Sequence, residues 1–176
     1  MKTLTDHLSQ YAAYHQDPRN VATHVVGIPL IVLAIATLLS RPSVLVGEWP
    51  MSIATLVGVG TIVFHLRLDL RFGAVMALLI GAALWTGQVL AVQTTAVWLS
   101  AGLGMFILGW AIQFLGHWYE GKKPAFVDDI VGLFVGPLFL VAEGAFALGM
   151  RREVQAAIHE RLQDQPAARA ASLARA

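Results

Sequence analysis

The sequence predicts an all-α, polytopic integral membrane bundle, and three observations carry that prediction. Hydrophobic residues make up 57% of the 176 positions and charged ones only 13%, a balance outside the soluble range. The apolar residues are gathered into blocks, near positions 25–46, 51–64, 72–92, 96–116 and 130–150. The polar segments before, between and after those blocks carry the histidines.

Taken in order, the first twenty positions hold Asp6, Asp17 and the polar run His15-Gln16-Asp17 with no apolar h-region. No signal peptide is therefore read there, and this segment is expected to stay in the mature protein. Asp17 is a candidate N-cap and Pro18 suits the first helical position, so one helix should stop near His15 and another start at Pro18. The block at 25–46 contains Pro29 and the break Arg41-Pro42, and the block at 51–64 is short. The three later blocks reach the ~20 residues needed to cross a hydrocarbon core of about 30 Å. This gives four or five apolar segments, one of which is allowed to be re-entrant. Positions 151–164 then place Val154, Ile158 and Leu162 at i, i+4, i+8 among polar residues, the pattern of an amphipathic helix lying on the membrane interface. From Pro166 the Ala/Arg tail reads as disordered. The expected division is a membrane-embedded domain over 1–150, carrying any chemistry, and a helix plus tail over 151–176.

Lys and Arg in short connections favour the cytoplasmic side. If the blocks at 72–92 and 96–116 form a hairpin through Gln93-Thr94-Thr95, the Arg67/Arg71 and Lys122/Lys123 connections share one face. That face, expected to be cytoplasmic, collects His7, His15, His24, His65 and His117, with Asp69, Glu120, Asp128 and Asp129. Arg151 and Arg152 conflict with this arrangement if the block at 130–150 crosses once. Either that block, broken by Gly136-Pro137 and carrying Glu143, turns back, or an earlier block fails to span. The Ala- and Arg-rich tail suggests a bacterial inner membrane; in a eukaryote the endoplasmic reticulum membrane would be the counterpart.

Cysteine is absent, which excludes disulfides, zinc-thiolate sites, iron–sulfur clusters and thiol nucleophiles. A net charge of +1 gives no case for nucleic acid. The chain has no Gly-rich phosphate loop, no G-x-S-x-G and no H-E-x-x-H. Any metal must use His, carboxylate or water.

Two motifs remain. In Tyr14-His15-Gln16-Asp17-Pro18-Arg19-Asn20-Val21-Ala22-Thr23-His24, a straight helix would rotate the two histidines through about 900° and leave them on opposite sides. The break at Asp17-Pro18 lets both imidazoles converge. Asn20 and His24 share a helix face, so Asn20 is a candidate for orienting the imidazole or binding a substrate oxygen; the alternative is an interfacial helix with solvated histidines. In Gln113-Phe114-Leu115-Gly116-His117-Trp118-Tyr119-Glu120-Gly121-Lys122-Lys123-Pro124, His117 and Glu120 emerge on one face, at a spacing used in metal-binding bundles. A dipole-stabilised helix cap is the alternative for His117. His65 and Asp69, four apart, read as a solvated loop helix or a weaker ligand pair. Glu143 is an intramembrane carboxylate and a functional candidate on that ground, with a helix-packing role as its alternative.

Tyr14-His15, Asn20, His24 and Pro29, followed by Gln113-Phe114-x-Gly116-His117-x-x-Glu120-x-x-x-Pro124-Ala125 and then Asp128, resemble the membrane-bound 2-hydroxy fatty acid dioxygenases. Fungal members of that family act in the endoplasmic reticulum. The resemblance runs from about Tyr11 to Glu143, and the G-H-x-x-E-x-x-x-P-A element is its most specific part. It implies an iron(II)-dependent enzyme that shortens a 2-hydroxy fatty acid by one carbon with O2. Carried over by position, His15, His24 and His117 would be metal ligands and Glu120 a further ligand or a partner to them. Asn20 and Asp128 fall in the family's pattern and count with Glu120 as candidate catalytic residues. Lys122 and Lys123 would attract the substrate carboxylate, although lysines at a span end ordinarily signal topology only. Lys122-Lys123 stands in for a more basic run, and His65 and Asp69 match no family position. The bilayer is the expected surrounding and an oligomer is allowed. The competing readings are another metal-dependent membrane lipid hydroxylase or hydrolase, and a non-catalytic transporter or assembly protein.

Overall fold

The computed structural model describes residues 2–122 and 130–173, with side chains described as far as Asp164 apart from Trp49 and Pro50. Asp128, Asp129, Lys123 and the tail expected from Pro166 lie outside the described side chains. Helix α1 (Leu4–Ala12) opens on a capping box, in which the Thr3 hydroxyl accepts the Asp6 amide at 3.2 Å and the Asp6 carboxylate accepts the Thr3 amide at 2.6 Å. Helix α2 (Pro18–Ser40) begins as its sequence predicts, with Pro18 in the first turn and the Asp17 carboxylate accepting the Arg19 amide at 2.8 Å. It continues through Pro29 without ending.

The first apolar block stops earlier than expected. Pro42 cannot extend the helix, and Arg41 turns away to donate to the carbonyls of Ala91 and Gln93 and to the Thr95 hydroxyl. Val44–Val46 therefore belong to a small antiparallel hairpin, β1 (Ser43–Val46) with β2 (Trp49–Ser52), paired from Ser43↔Ser52 to Val46↔Trp49. Gly47, at φ +64° in the tight turn, adopts the left-handed conformation that costs glycine little. Helices α3 (Ile53–Leu68), α4 (Leu70–Ala91) and α5 (Thr95–Glu120) follow. Only Asp69 separates α3 from α4, capping α4 by accepting the Arg71 and Phe72 amides.

Among the described residues three helices, α2, α4 and α5, are long and apolar enough to cross a membrane, and the bent pair 132–147 and 152–164 would make a fourth if taken as one span. At 16 residues, α3 spans about 24 Å, just under a full core. The result is a membrane-spanning helical bundle with α2 at its centre, packed against α3, α4 and α5. Gly27 and Gly109 bring α2 and α5 close: a Cβ on either would stand 3.0 Å from the other's carbonyl oxygen. Small residues at crossings are how helices associate in lipid.

Up-and-down passage through these helices puts the start of α2, the end of α3, the start of α4 and the end of α5 at one end of the bundle. Helix α6 (Gly132–Ala147) is fastened to that same end twice: its Phe134 carbonyl accepts from His65 Nε2 at 3.0 Å, and Arg151, just beyond it, grips Asp69 through two bonds of 3.0 and 2.8 Å. Helix α6 runs unbroken through Pro137, and the 114° bend to the next helix falls at 148–151, at the end of the fifth block rather than within it. Through the Arg151–Asp69 pair, Arg19, Arg67, Arg71, Lys122, Arg151 and Arg152 share one end, and the conflict with the charge rule disappears. Helix α7 (Arg152–Leu173) leaves α6 at 114° and lies on α1, where Arg161 pairs with Asp6. Its Val154 and Ile158 are buried in a core with Leu8, Phe72, Met76 and Leu138. The apolar stripe is where the sequence predicts it, and it faces α1 rather than the membrane interface.

His65 is a correction. Expected in a solvated loop helix, it is 0% exposed, because α6 folds over the α3–α4 junction. Asp69 is likewise a cap and ion-pair partner. The Arg151 guanidinium holds the Asp69 carboxyl below its usual range, and Arg151 itself sits at φ +54°, a conformation that a non-glycine residue keeps only when its surroundings impose it. Arg151→Gln is expected to lower stability by about 1–3 kcal/mol at neutral pH. Because the folded-state pKa of Asp69 is depressed, the pair's contribution is complete above the unfolded value of 3.8 and is lost as pH falls below it. Thermal unfolding in detergent should show the variant and the unmodified chain converging in acid; equal midpoints at neutral pH would remove the clamp from the account.

Candidate metal centre

The turn between α1 and α2 presents His15, the second turn of α2 presents His24, and the last turn of α5 presents His117. Each is buried, at 5%, 2% and 8% exposure. Among the described residues these three bring one ligand atom each to within 4.8 Å of one another. The break at Asp17-Pro18 lets His15 turn back on His24 in the way the sequence predicts.

Local bonds select the tautomers. His15 Nδ1 donates to the Tyr11 carbonyl at 2.7 Å, and its ring stacks on the Tyr11 ring at 4.0 Å and 2°. His24 Nδ1 donates to the Asn20 carbonyl at 2.9 Å. With both Nδ1 protons used, the two Nε2 atoms face each other at 3.0 Å as bare lone pairs of neutral rings. Burial pushes the His15 imidazole down to about 4, so a proton does not fill the gap at neutral pH. Two lone pairs at that distance repel unless a cation lies between them, and about 3 Å is the separation of adjacent nitrogen ligands bound at ~2.1 Å and a right angle. His117 Nδ1 is buried with no hydrogen-bond partner, and its ring lies 5.2 and 5.0 Å from those of His15 and His24. The donor set fits a divalent transition metal that accepts neutral imidazole.

The other candidate residues hold this arrangement in place. The Glu120 carboxylate accepts the Asp17 amide at 2.8 Å, the Gln16 amide at 3.0 Å and Asn20 Nδ2 at 3.1 Å. It therefore ties the end of α5 to the turn that bears His15. Asn20 orients His24 as anticipated, but through its backbone carbonyl, while its side chain reaches across to Glu120. Lys122 Nζ donates to the Ala13 carbonyl at 2.8 Å and stands 3.6 Å from Glu120, closing the same turn. Lys123 and Asp128 lie outside the described residues. Glu143 is exposed on α6 and is not part of the three-histidine group.

Gly116 matters for contact. A Cβ there would stand 2.1 Å from Thr23 Oγ1 and 2.5 Å from Asn20 Oδ1, so only glycine lets α5 rest on this face of α2. Tyr11 and Phe139 went unremarked in the sequence, yet their rings lie 5.0 Å apart and stand 4.0 and 5.9 Å from that of His15. For Tyr11 a signal existed, since it lies four residues before His15 and can offer its carbonyl at helical spacing. Phe139 gave none, because nothing local announces that α6 folds back.

The chain matches the family model described as 2-hydroxy-palmitic acid dioxygenase Mpo1-like over residues 1–148. It is 29% identical over 165 residues to the 2-hydroxy-palmitic acid dioxygenase MPO1 of Saccharomyces cerevisiae, an alignment covering 91% of this chain and 90% of the yeast protein. No solved structure matches it.

Proposed function

The chain belongs to the 2-hydroxy-palmitic acid dioxygenase Mpo1-like family, and from that premise we propose that it is an iron(II)-dependent dioxygenase shortening 2-hydroxy fatty acids by one carbon with O2. The observation that carries this reading is the facing pair of His15 and His24 Nε2 atoms at 3.0 Å, joined by His117. His15, His24 and His117 would hold iron(II), which would supply redox capacity toward O2 and Lewis acidity toward the hydroxyl and carboxylate of a 2-hydroxy acid. The stoichiometry closes without a further reductant: the acid and O2 yield an acid one carbon shorter, carbon dioxide and water, with four electrons leaving the substrate and four entering O2.

The chain's own residues prepare the site. The Tyr11 and Asn20 carbonyls hold the two imidazoles in the tautomer that offers Nε2. Glu120 and Asn20 lock the His15 turn to α5, and the Tyr11 and Phe139 rings keep water off one side. Lys122 adds positive charge beside the turn, where an arriving carboxylate meets it. Asp128 is kept as a further catalytic candidate on the family pattern. The basic end of the bundle faces the cytoplasm by the charge rule, which in a bacterial cell puts the site on the inner side of the inner membrane.

The test is anaerobic reconstitution of detergent-purified protein with iron(II), followed by 2-hydroxypalmitate and O2. The expected result is about one iron per chain, with pentadecanoic acid and carbon dioxide formed in step with O2 consumed. A hydroxylated or hydrolysed product would reassign the site to another lipid reaction. Failure to retain any metal would favour a non-catalytic membrane protein.

A further inference from the structure

Helices α2 and α5 meet along two polar stripes of matching spacing. On α2 these are Asn20, Thr23, His24 and Gly27; on α5, running the other way, Glu120, Gly116, His117 and Gln113. Asn20 meets Glu120, Thr23 meets Gly116, the two histidines meet, and Gln113 meets Gly27. Gln113 therefore occupies the layer one helical turn beneath the imidazoles. The missing side chain of Gly27 makes its room: a Cβ there would lie 3.2 Å from Gln113 Cγ and Cδ.

Gln113 is only 6% exposed, and its Oε1 is fully buried with no hydrogen-bond partner. A polar amide between membrane helices is ordinarily bonded to its neighbours, so an unused acceptor beside a ligand site indicates a donor brought by a ligand. The proposed substrate limits what that donor is. An ionised 2-hydroxy fatty acid has one hydrogen-bond donor, its 2-hydroxyl; O2 has none, and neither has an ionised fatty acid without the hydroxyl. We propose that Gln113 is the residue that recognises the 2-hydroxyl, its carboxamide oxygen accepting the hydroxyl proton while the imidazole site takes the oxygens. This inference rests on the dioxygenase reading and adds to it the group that separates 2-hydroxy acids from ordinary ones.

The experiment measures binding rather than turnover. Iron-loaded full-length protein under nitrogen is titrated calorimetrically with 2-hydroxypalmitate and with palmitate, for the unmodified chain, Gln113→Met and Gln113→Leu. Methionine keeps the length without a comparable acceptor, and leucine serves if methionine disturbs packing. The unmodified chain should prefer 2-hydroxypalmitate by about tenfold or more, the worth of one hydrogen bond to a buried group. Both variants should keep their iron and their palmitate affinity while that preference falls by about tenfold, the part owed to the hydrogen bond. An intact preference in the variants overturns the inference alone. So does an equal loss of both ligands, or loss of iron, since either outcome marks a packing residue. Absence of 2-hydroxypalmitate binding to the iron-loaded unmodified chain overturns the dioxygenase reading, and this inference with it.

Discussion

His24→Ala and His117→Ala are each expected to strip iron from the purified protein and to weaken its retention by more than about 100-fold, beyond what losing a partner of a ligand costs. In the unmodified chain His15 and His24 present bare nitrogens 3.0 Å apart, an arrangement that is costly when empty and favourable around a cation. Removing either side of the group leaves two imidazoles, too few to hold a labile divalent ion against detergent and buffer. Metal linkage gives a second readout. At iron(II) about 100 times its dissociation constant, the folded chain should gain about 2.7 kcal/mol against unfolding, and neither variant should gain. The measurement is metal per chain by mass spectrometry alongside unfolding midpoints with and without iron(II). Stoichiometric iron surviving in either variant would mean that the site lies elsewhere.

The N-terminal motif was legible for local reasons. Asp17 and Pro18 act within one turn of themselves, so the break that brings His15 onto His24 follows from cap chemistry alone, and the long apolar runs became α4 and α5 because lipid leaves the backbone few other choices. What escaped the sequence was decided at a distance. His65 is buried only because α6 returns to the α3–α4 junction, and the contact that fastens it there joins Arg151 to Asp69 across 82 positions. The hairpin at Ser43–Ser52 was hidden because Val44, Leu45 and Val46 extend an apolar run, although Pro42 marked the stop. Asn20 shows the same division within one residue: its backbone bond to His24 obeys helical spacing, whereas its side chain bonds Glu120, 100 positions away.

Glu120 is where the structure sharpens the sequence reading most, since the motif allowed it to be either a ligand or a partner to the ligands. Its carboxylate already accepts from the Gln16 and Asp17 amides and from Asn20, and charge-assisted bonds of this kind contribute about 1.5–3 kcal/mol each. We propose from these bonds that Glu120 positions the His15 turn rather than binding the metal. Glu120→Ala leaves those donors without an acceptor and frees His15 from α5, so iron affinity should fall by about 10–100-fold, and turnover with it. Glu120→Gln keeps one acceptor oxygen without the charge; it should lose stability yet hold iron within a few-fold of the unmodified chain. A ligand role predicts no such difference, because a neutral amide binds iron(II) far more weakly than a carboxylate, and the Gln variant would then lose metal as fully as the Ala variant. Chelator competition on the three proteins separates the two cases. Retention of iron by the Gln variant leaves the three imidazoles as the protein's contribution to the metal and Glu120 as the residue that brings the first of them into place.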